Sequence, residues 1–255
     1  MSRKLRHRIF AECWIPIAPL GDDWILRVVS CLPEACRPVF FSRSERLDKR
    51  RAQLVADHAA LREQTRKYSG ASLHGDGSYI DAAARGNEYG RIAGYFGPVK
   101  AWTEVVPAWW RELDALGLIY AMASTEEEDE HRHSLTVQLA GQPGGHLLMR
   151  VGSDYTRYVP GLTWLNYFSK GYARGRGLEA QAVAAKAQGT LEELPNGCIL
   201  KLYDSPDDWT AHRDRIDSLL ESDPTFFSKR RVKVPEAVDK TGYLGLIATA
   251  RRDWP

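Results

Sequence analysis

The order of apolar and polar positions divides the chain into short segments set apart by Gly, Pro, Ser and Asp. Trp24 to Leu32 is a continuous apolar, β-branched run, which predicts a strand ended by Pro33 and Pro38. Ser42 and Glu45 have the spacing of a capping box. Leu47, Leu54, Leu61 and Tyr68 then recur at helical intervals, predicting a long charged helix from about Arg46 to Tyr68. Its narrow stripe keeps it on the surface of the core. Ser69 to Gly90 is rich in Gly, Ser and Asp and predicts an irregular loop. Tyr89 to Phe96 predicts a strand. Trp102, Val105, Val106, Trp109, Trp110, Leu113 and Leu116 have helical spacing, with Pro107 at a start or kink and Gly117 as the cap. Leu118 to Ala123 returns as a strand.

The second half opens with a hairpin. His133 to Ala140 and His146 to Val151 flank the turn Gly141 to Gly145. Pairing Ala140 with His146 sets Leu139 against Leu147, Val137 against Met149 and Leu135 against Val151, all on one face. Leu162 to Phe168 predicts a strand, and Leu178 to Gln188 an Ala-rich helix capped by Gly189. Cys198 to Tyr203 predicts a strand. Ser205, Pro206, Asp207 and Asp208 then start a helix with a cap, a proline at its first position and two acids on the dipole. Its buried face holds Trp209, His212, Ile216, Leu219 and Leu220. Phe226 to Val234 predicts a last strand, and the tail from about Pro235 is expected to run along the body. The whole, residues 1–255, reads as one α+β domain: a mostly antiparallel sheet with helices packed on it.

Composition narrows the function classes. At 255 residues and 44% hydrophobic the chain can bury a sizeable core. Formal net charge is +2, from 35 basic and 33 acidic residues, which argues neither for a nucleic-acid binder nor for an acidic mimic, and with basic residues dispersed no nucleic-acid partner is expected. No apolar run is long enough for a membrane span. Arg3, Lys4, Arg6, His7 and Arg8 ahead of Ile9 to Leu20 imitate a secretory signal, but Glu12, Pro16 and Pro19 interrupt it and no cleavage site follows. The cytoplasm is the expected location. Cys13, Cys31, Cys36 and Cys198 fit neither a zinc pattern nor a disulfide framework. Cys31 and Cys198 lie in apolar runs and are expected to be buried thiols.

Phosphate-loop, dinucleotide, nucleophile-elbow and H-E-x-x-H motifs are all missing. The stretch Gly171 to Gly177, with Arg174 and Arg176, reads as a flexible loop. His131 and His133 would share one face of a strand, with Arg132 opposite Asp154, but no third metal ligand joins them. His58 and His212 read as core histidines. Lys229, Arg230, Arg231 and Lys233 form the densest basic patch. No cofactor and no metal are expected. Glu126, Glu127, Glu128, Asp129 and Glu130 form an unbroken acidic run, read as a solvated loop or as a docking strip for a protein partner.

Three later segments carry a resemblance. They are Pro160-Gly-Leu-Thr-Trp-Leu-Asn-Tyr-Phe168, then Gly197-Cys-Ile-Leu-Lys-Leu-Tyr203, then Pro206-Asp-Asp-Trp209. This order, over residues 158–234, resembles the immunity proteins of type VI secretion and polymorphic-toxin systems. The resemblance implies a chain that is not an enzyme. It would bind a cognate protein toxin and occlude it, protecting the producing cell and its siblings. Gly161, Trp164 and Trp209 would then serve the core. The alternative expectation is a hydrolase or transferase with a site near His131, His133 and Asp154. Oligomeric state stays open, a homodimer among the options.

Overall fold

The computed structural model describes residues 8–43, 53–86, 88–141, 144–152, 155 and 158–232. Its centre is Ile9–Pro16 (β1), buried on both faces because strands pair on either side and helices cover it above and below. The apolar stretch that imitates a signal sequence is thus the central strand. After it come Trp24–Ser30 (α1), Phe40–Ser42 (β2), Gln53–Leu54 (β3), His58–Tyr68 (α2), Gly70–Gly75 (β4), Ser78–Arg85 (β5) and Tyr89–Phe96 (β6). Val99–Trp102 (α3) and Val105–Ala115 (α4) lead to Tyr120–Thr125 (β7) and Glu126–His133 (α5). Ser134–Gln138 (β8), His146–Arg150 (β9), Leu165–Ser169 (β10), Lys170–Gly175 (α6) and Ala180–Ala187 (α7) follow. Thr190–Glu193 (β11), Gly197–Lys201 (β12) and Trp209–Ser222 (α8) complete the order.

Ten strands form one sheet in the order β11-β12-β10-β7-β1-β6-β5-β4-β2-β3, with every paired register antiparallel. The α+β expectation holds among the described residues. Strand alternation sorts the helices. Ile9, Ala11 and Cys13 share a face with Phe96, whose ring meets Trp102 and Trp109. Helices α1 to α4 therefore lie on that face. Phe10, Glu12 and Trp14 point the other way, toward Arg150, Tyr155 and the later helices.

Asp114 ties α4 to the sheet. It is 2% exposed and meets no cation among the described residues. Tyr167 donates its hydroxyl to Oδ1 at 2.6 Å, and the Asn196 backbone N–H donates to Oδ2 at 3.1 Å. The Asn196 side-chain amide donates to the Asp114 carbonyl at 3.0 Å. Burial, then the bond to Asp114, drives the Tyr167 pKa upward.

Several elements depart from expectation. Trp24 to Leu32 is mostly helix, because Trp24, Ile25, Val28 and Val29 are buried at helical intervals. Asp22 and Asp23 sit in the 3-10 turn that leads into it. Helix α2 begins only at His58, where the Asp57 side chain accepts from the Ala60 N–H. Residues 44–52, with Glu45 and the expected helix start, lie outside the described residues. Ser69 to Gly90 is no loop: β4 and β5 pair through a turn at Gly77, whose φ of 71° suits glycine. Gly171 to Gly177 is largely the helix α6, capped by the Ser169 side chain on the Tyr172 N–H. Phe226 makes a single bridge to Val159, and Lys229–Arg231 is a 3-10 turn rather than strand. Strand β11 was not foreseen. The tail from Pro235 lies outside the described residues.

The hairpin β8–β9 forms two residues out of the expected register: Val137 faces Leu147 and Leu135 faces Met149. The turn begins earlier, with Leu139 N–H bonding Gly145 O at 2.9 Å and Gly141 at φ 74°. A two-residue slip keeps every side chain on its face, so Val137, Met149 and Val151 still bury together with Tyr158 and Phe227.

Replacing Asp114 with Ala strands the buried Tyr167 phenol and removes the acceptor of the Asn196 N–H, and should cost about 3 kcal/mol. Urea denaturation with an unchanged m-value checks this, and Asp114→Asn, which keeps one acceptor, should cost less.

Candidate functional site

The acidic run is the first half of a helix. Thr125 ends β7 and caps α5, its hydroxyl accepting from the Glu128 N–H at 3.1 Å. Four acids in the first turn complement the helix dipole. Of the run, Glu127 and Glu130 are exposed, Glu126 is half-buried, and Glu128 and Asp129 are buried.

The two buried acids each meet a basic side chain one turn later. Arg132 Nε donates to Glu128 Oε1 at 2.9 Å, and the Trp164 N–H donates to Oε2 at 3.2 Å. Arg132 also donates to Asp217 of α8 at 2.7 Å, and Asp217 pairs with His131 Nε2 at 2.9 Å. His133 Nδ1 lies 2.9 Å from Asp129 Oδ1, and its Nε2 lies 2.9 Å from Pro160 O. Arg150 binds the other Asp129 oxygen. Burial by itself would raise the Asp129 pKa, but Arg150 and His133 outweigh it and bring it down to about 2. Burial likewise opposes ionisation of Asp217, and His131 and Arg132 still hold it below the usual carboxylate range.

His131 and His133 therefore sit on a helix, not on the strand expected from the sequence. Their nitrogens meet Asp217, Asp129 and Pro160 O. Asp154 lies outside the described residues, and Arg132 pairs elsewhere. The space beside His131, Arg132 and Asp217 is about 20 Å³, room for one water. Among the described residues no three His, Cys, Asp or Glu side chains gather as metal ligands. His58 is exposed, and His212 stacks on Tyr203 at 5.2 Å. Asp208 Oδ2 accepts the Ser205 N–H, which closes a capping box at the expected helix start. The basic patch is also engaged: Arg230 pairs with Glu221, and Arg231 caps Leu220 O and Phe226 O. Lys233 lies outside the described residues. Arg176 donates to Tyr155 O at 2.9 Å, while Arg174 is exposed.

The open surface lies at the other end of the sheet. Val39, Phe40, Leu54 and Tyr68 account for four of the five large apolar side chains exposed among the described residues. Beside them a groove of about 540 Å³ runs between α1, α2 and the β2–β3 edge. Leu26, Val29, Val39, Leu54 and Val55 supply its apolar wall. Arg27, Arg37, Arg62, His58 and Asp23 supply its polar groups. Sequence reasoning missed these residues because it assigned Leu54 to a helix and Leu26 and Val29 to a strand. The adjacent pair Val39-Phe40, outside any amphipathic stripe, is the signal that was there to find.

The folded-state pKa of Asp129 lies below its ordinary value of 3.8, so its ionic contacts stabilise the fold above that pH and are lost as pH falls toward about 2. Thermal denaturation of the Asp129→Asn variant should show a loss of about 3 kcal/mol near neutrality that shrinks below about pH 4.

No protein-family model matches the sequence, and no curated protein matches it. Among solved structures, the chain is similar to the Pseudomonas aeruginosa T6SS protein PA0821, at 8% identity and a TM-score of 0.47, covering 76% of this chain and 67% of that one. No helix among the described residues is long and apolar enough to cross a membrane.

Proposed function

We propose that this chain is an immunity protein: it binds a cognate bacterial toxin effector and neutralises it by occlusion, acting in the cytoplasm and without catalysis. The observation that carries the reading is an open apolar groove at one end of the sheet, with the exposed side chains of Val39 and Leu54 in its wall. Contiguous exposed apolar surface marks interaction sites in proteins that otherwise bury such groups. The internal pairing of the charged cluster adds support, since His131, His133 and Asp129 spend their hydrogen-bonding capacity on one another and on the frame. The resemblance over residues 158–234 supplies the class of partner. Trp164 and Trp209, two of its signature residues, are buried, as structural signatures should be. Of the acidic run, Glu127 and Glu130 keep an exposed face and Glu126 part of one, so it is the smaller of two candidate contact surfaces.

The test is a tagged pull-down from native cells in high salt, followed by co-expression. The expected result is one retained protein, encoded beside this gene, that arrests growth alone and is harmless with this chain. A neighbouring product equally toxic with or without this chain overturns the reading.

A further inference from the structure

The groove is apolar along its wall and unbalanced in charge along its rim. Asp23 is its one acid, and Arg62 already holds that carboxylate in a two-pronged pair at 2.5 and 3.1 Å. Arg37 is fixed by carbonyls, donating to Leu32 O at 2.9 Å and Ser30 O at 2.7 Å. Carbonyls orient a guanidinium without cancelling its charge. Arg27 is exposed one turn from Ser30 on α1. Neither Arg27 nor Arg37 has a carboxylate within ion-pair distance among the described residues. Two guanidinium groups without an ion-paired carboxylate among the described residues therefore border an apolar groove whose volume of about 540 Å³ falls in the about 300–1,000 Å³ range of clefts that bury a ligand.

We infer that the groove receives an acidic amphipathic helix of the protein partner. Its apolar side chains would lie against Leu26, Val29 and Leu54, and its carboxylates on Arg27 and Arg37. This rests on the toxin-binding reading and names the chemistry that the toxin would present. A helix laid in a groove matches anchors spaced along one face, and flanking carboxylates choose its direction. Guanidinium groups bind carboxylates through paired N–H donors, so the charge pattern selects as well as attracts. Leu54 and Arg27 serve no core role that the partner would have to disrupt: Leu54 is 53% exposed, and the Arg27 side chain has no hydrogen-bonded partner to lose among the described residues.

Fluorescence anisotropy on the full chain tests this with two labelled helical peptides. Both carry the same leucine face, flanked by glutamates in one and by lysines in the other. The glutamate peptide should bind roughly tenfold tighter, and added salt should narrow the gap. Arg27→Glu should weaken glutamate-peptide binding roughly fivefold and improve lysine-peptide binding. Leu54→Asp should weaken both on the order of 30-fold. Both substitutions fall on exposed positions, and an unchanged melting temperature confirms that the variants are folded. Equal binding of the two peptides, binding of neither, or displacement by dodecanoate alone overturns the inference. Two further outcomes separate it from the toxin reading. Retained toxin protection in both variants rules out the groove and keeps the immunity reading. Peptide selectivity without protection by the wild-type chain keeps the groove and rules out the immunity reading.

Discussion

Glu12 places a carboxylate on the central strand, 2% exposed, on the sheet face that the hairpin β8–β9 covers with Arg150. A buried charge without partners costs several kcal/mol, so the surrounding structure has to supply them. Arg91, from the adjacent strand β6, binds it at 2.7 Å, and the Trp14 indole donates to it at 3.0 Å. Arg150 approaches to 3.9 Å from the hairpin β8–β9 and lies over the Phe10 ring. Arg150 in turn engages Asp129, which engages His133, whose far nitrogen meets Pro160 O. One charge on β1 is thus linked through the hairpin and α5 to the segment that leads into β10.

A second relay runs parallel to the first. Glu128, Arg132, Asp217 and His131 join α5 to α8, with the Trp164 N–H on the free Glu128 oxygen. Each of these groups would be costly alone in the interior, and each is paired. The two relays account for an acidic run followed by His-Arg-His on one short helix. Its acids at the start and its bases at the end also suit the helix dipole. These side chains hold layers together, and the space left beside them admits a water rather than a substrate. Apolar surface remains open where the sheet narrows to its short edge strands β2 and β3. Under the proposed function, this apolar surface with its basic rim is where the partner would be held.

Much of the framework was legible in the chain. The Trp-rich helix α4, the Ser205 start ahead of α8 and the strands β6, β7, β10 and β12 follow from spacing and punctuation, because local sterics and capping decide them. Errors arose where two periods were equally available. Trp24 to Leu32 is apolar enough for either strand or helix, and the neighbours of α1 settled it: Trp109 donates to Val28 O at 3.1 Å. β4 and β5 contain small residues that look like a loop in isolation. They pair with each other, and β5 with β6, through tight turns, and the ladder makes the strand. The candidate groove was hidden because Leu26, Val39 and Leu54 meet only after the sheet has formed.

The sequence by itself therefore determined the α+β class, the positions of most later elements, the inward face of the hairpin and the absence of familiar catalytic motifs. Those are properties of period, cap and composition, which act over a few residues. Only the tertiary structure decided that Glu12 lies at the centre, that Glu128 and Asp129 turn inward while their neighbours do not, and that the hairpin pairs two residues out of the expected register. It also decided which apolar side chains remain outside. Whether a carboxylate is solvated or paired, and whether a leucine is core or surface, depends on groups brought within a few ångströms from far along the chain, and no local pattern carries that information.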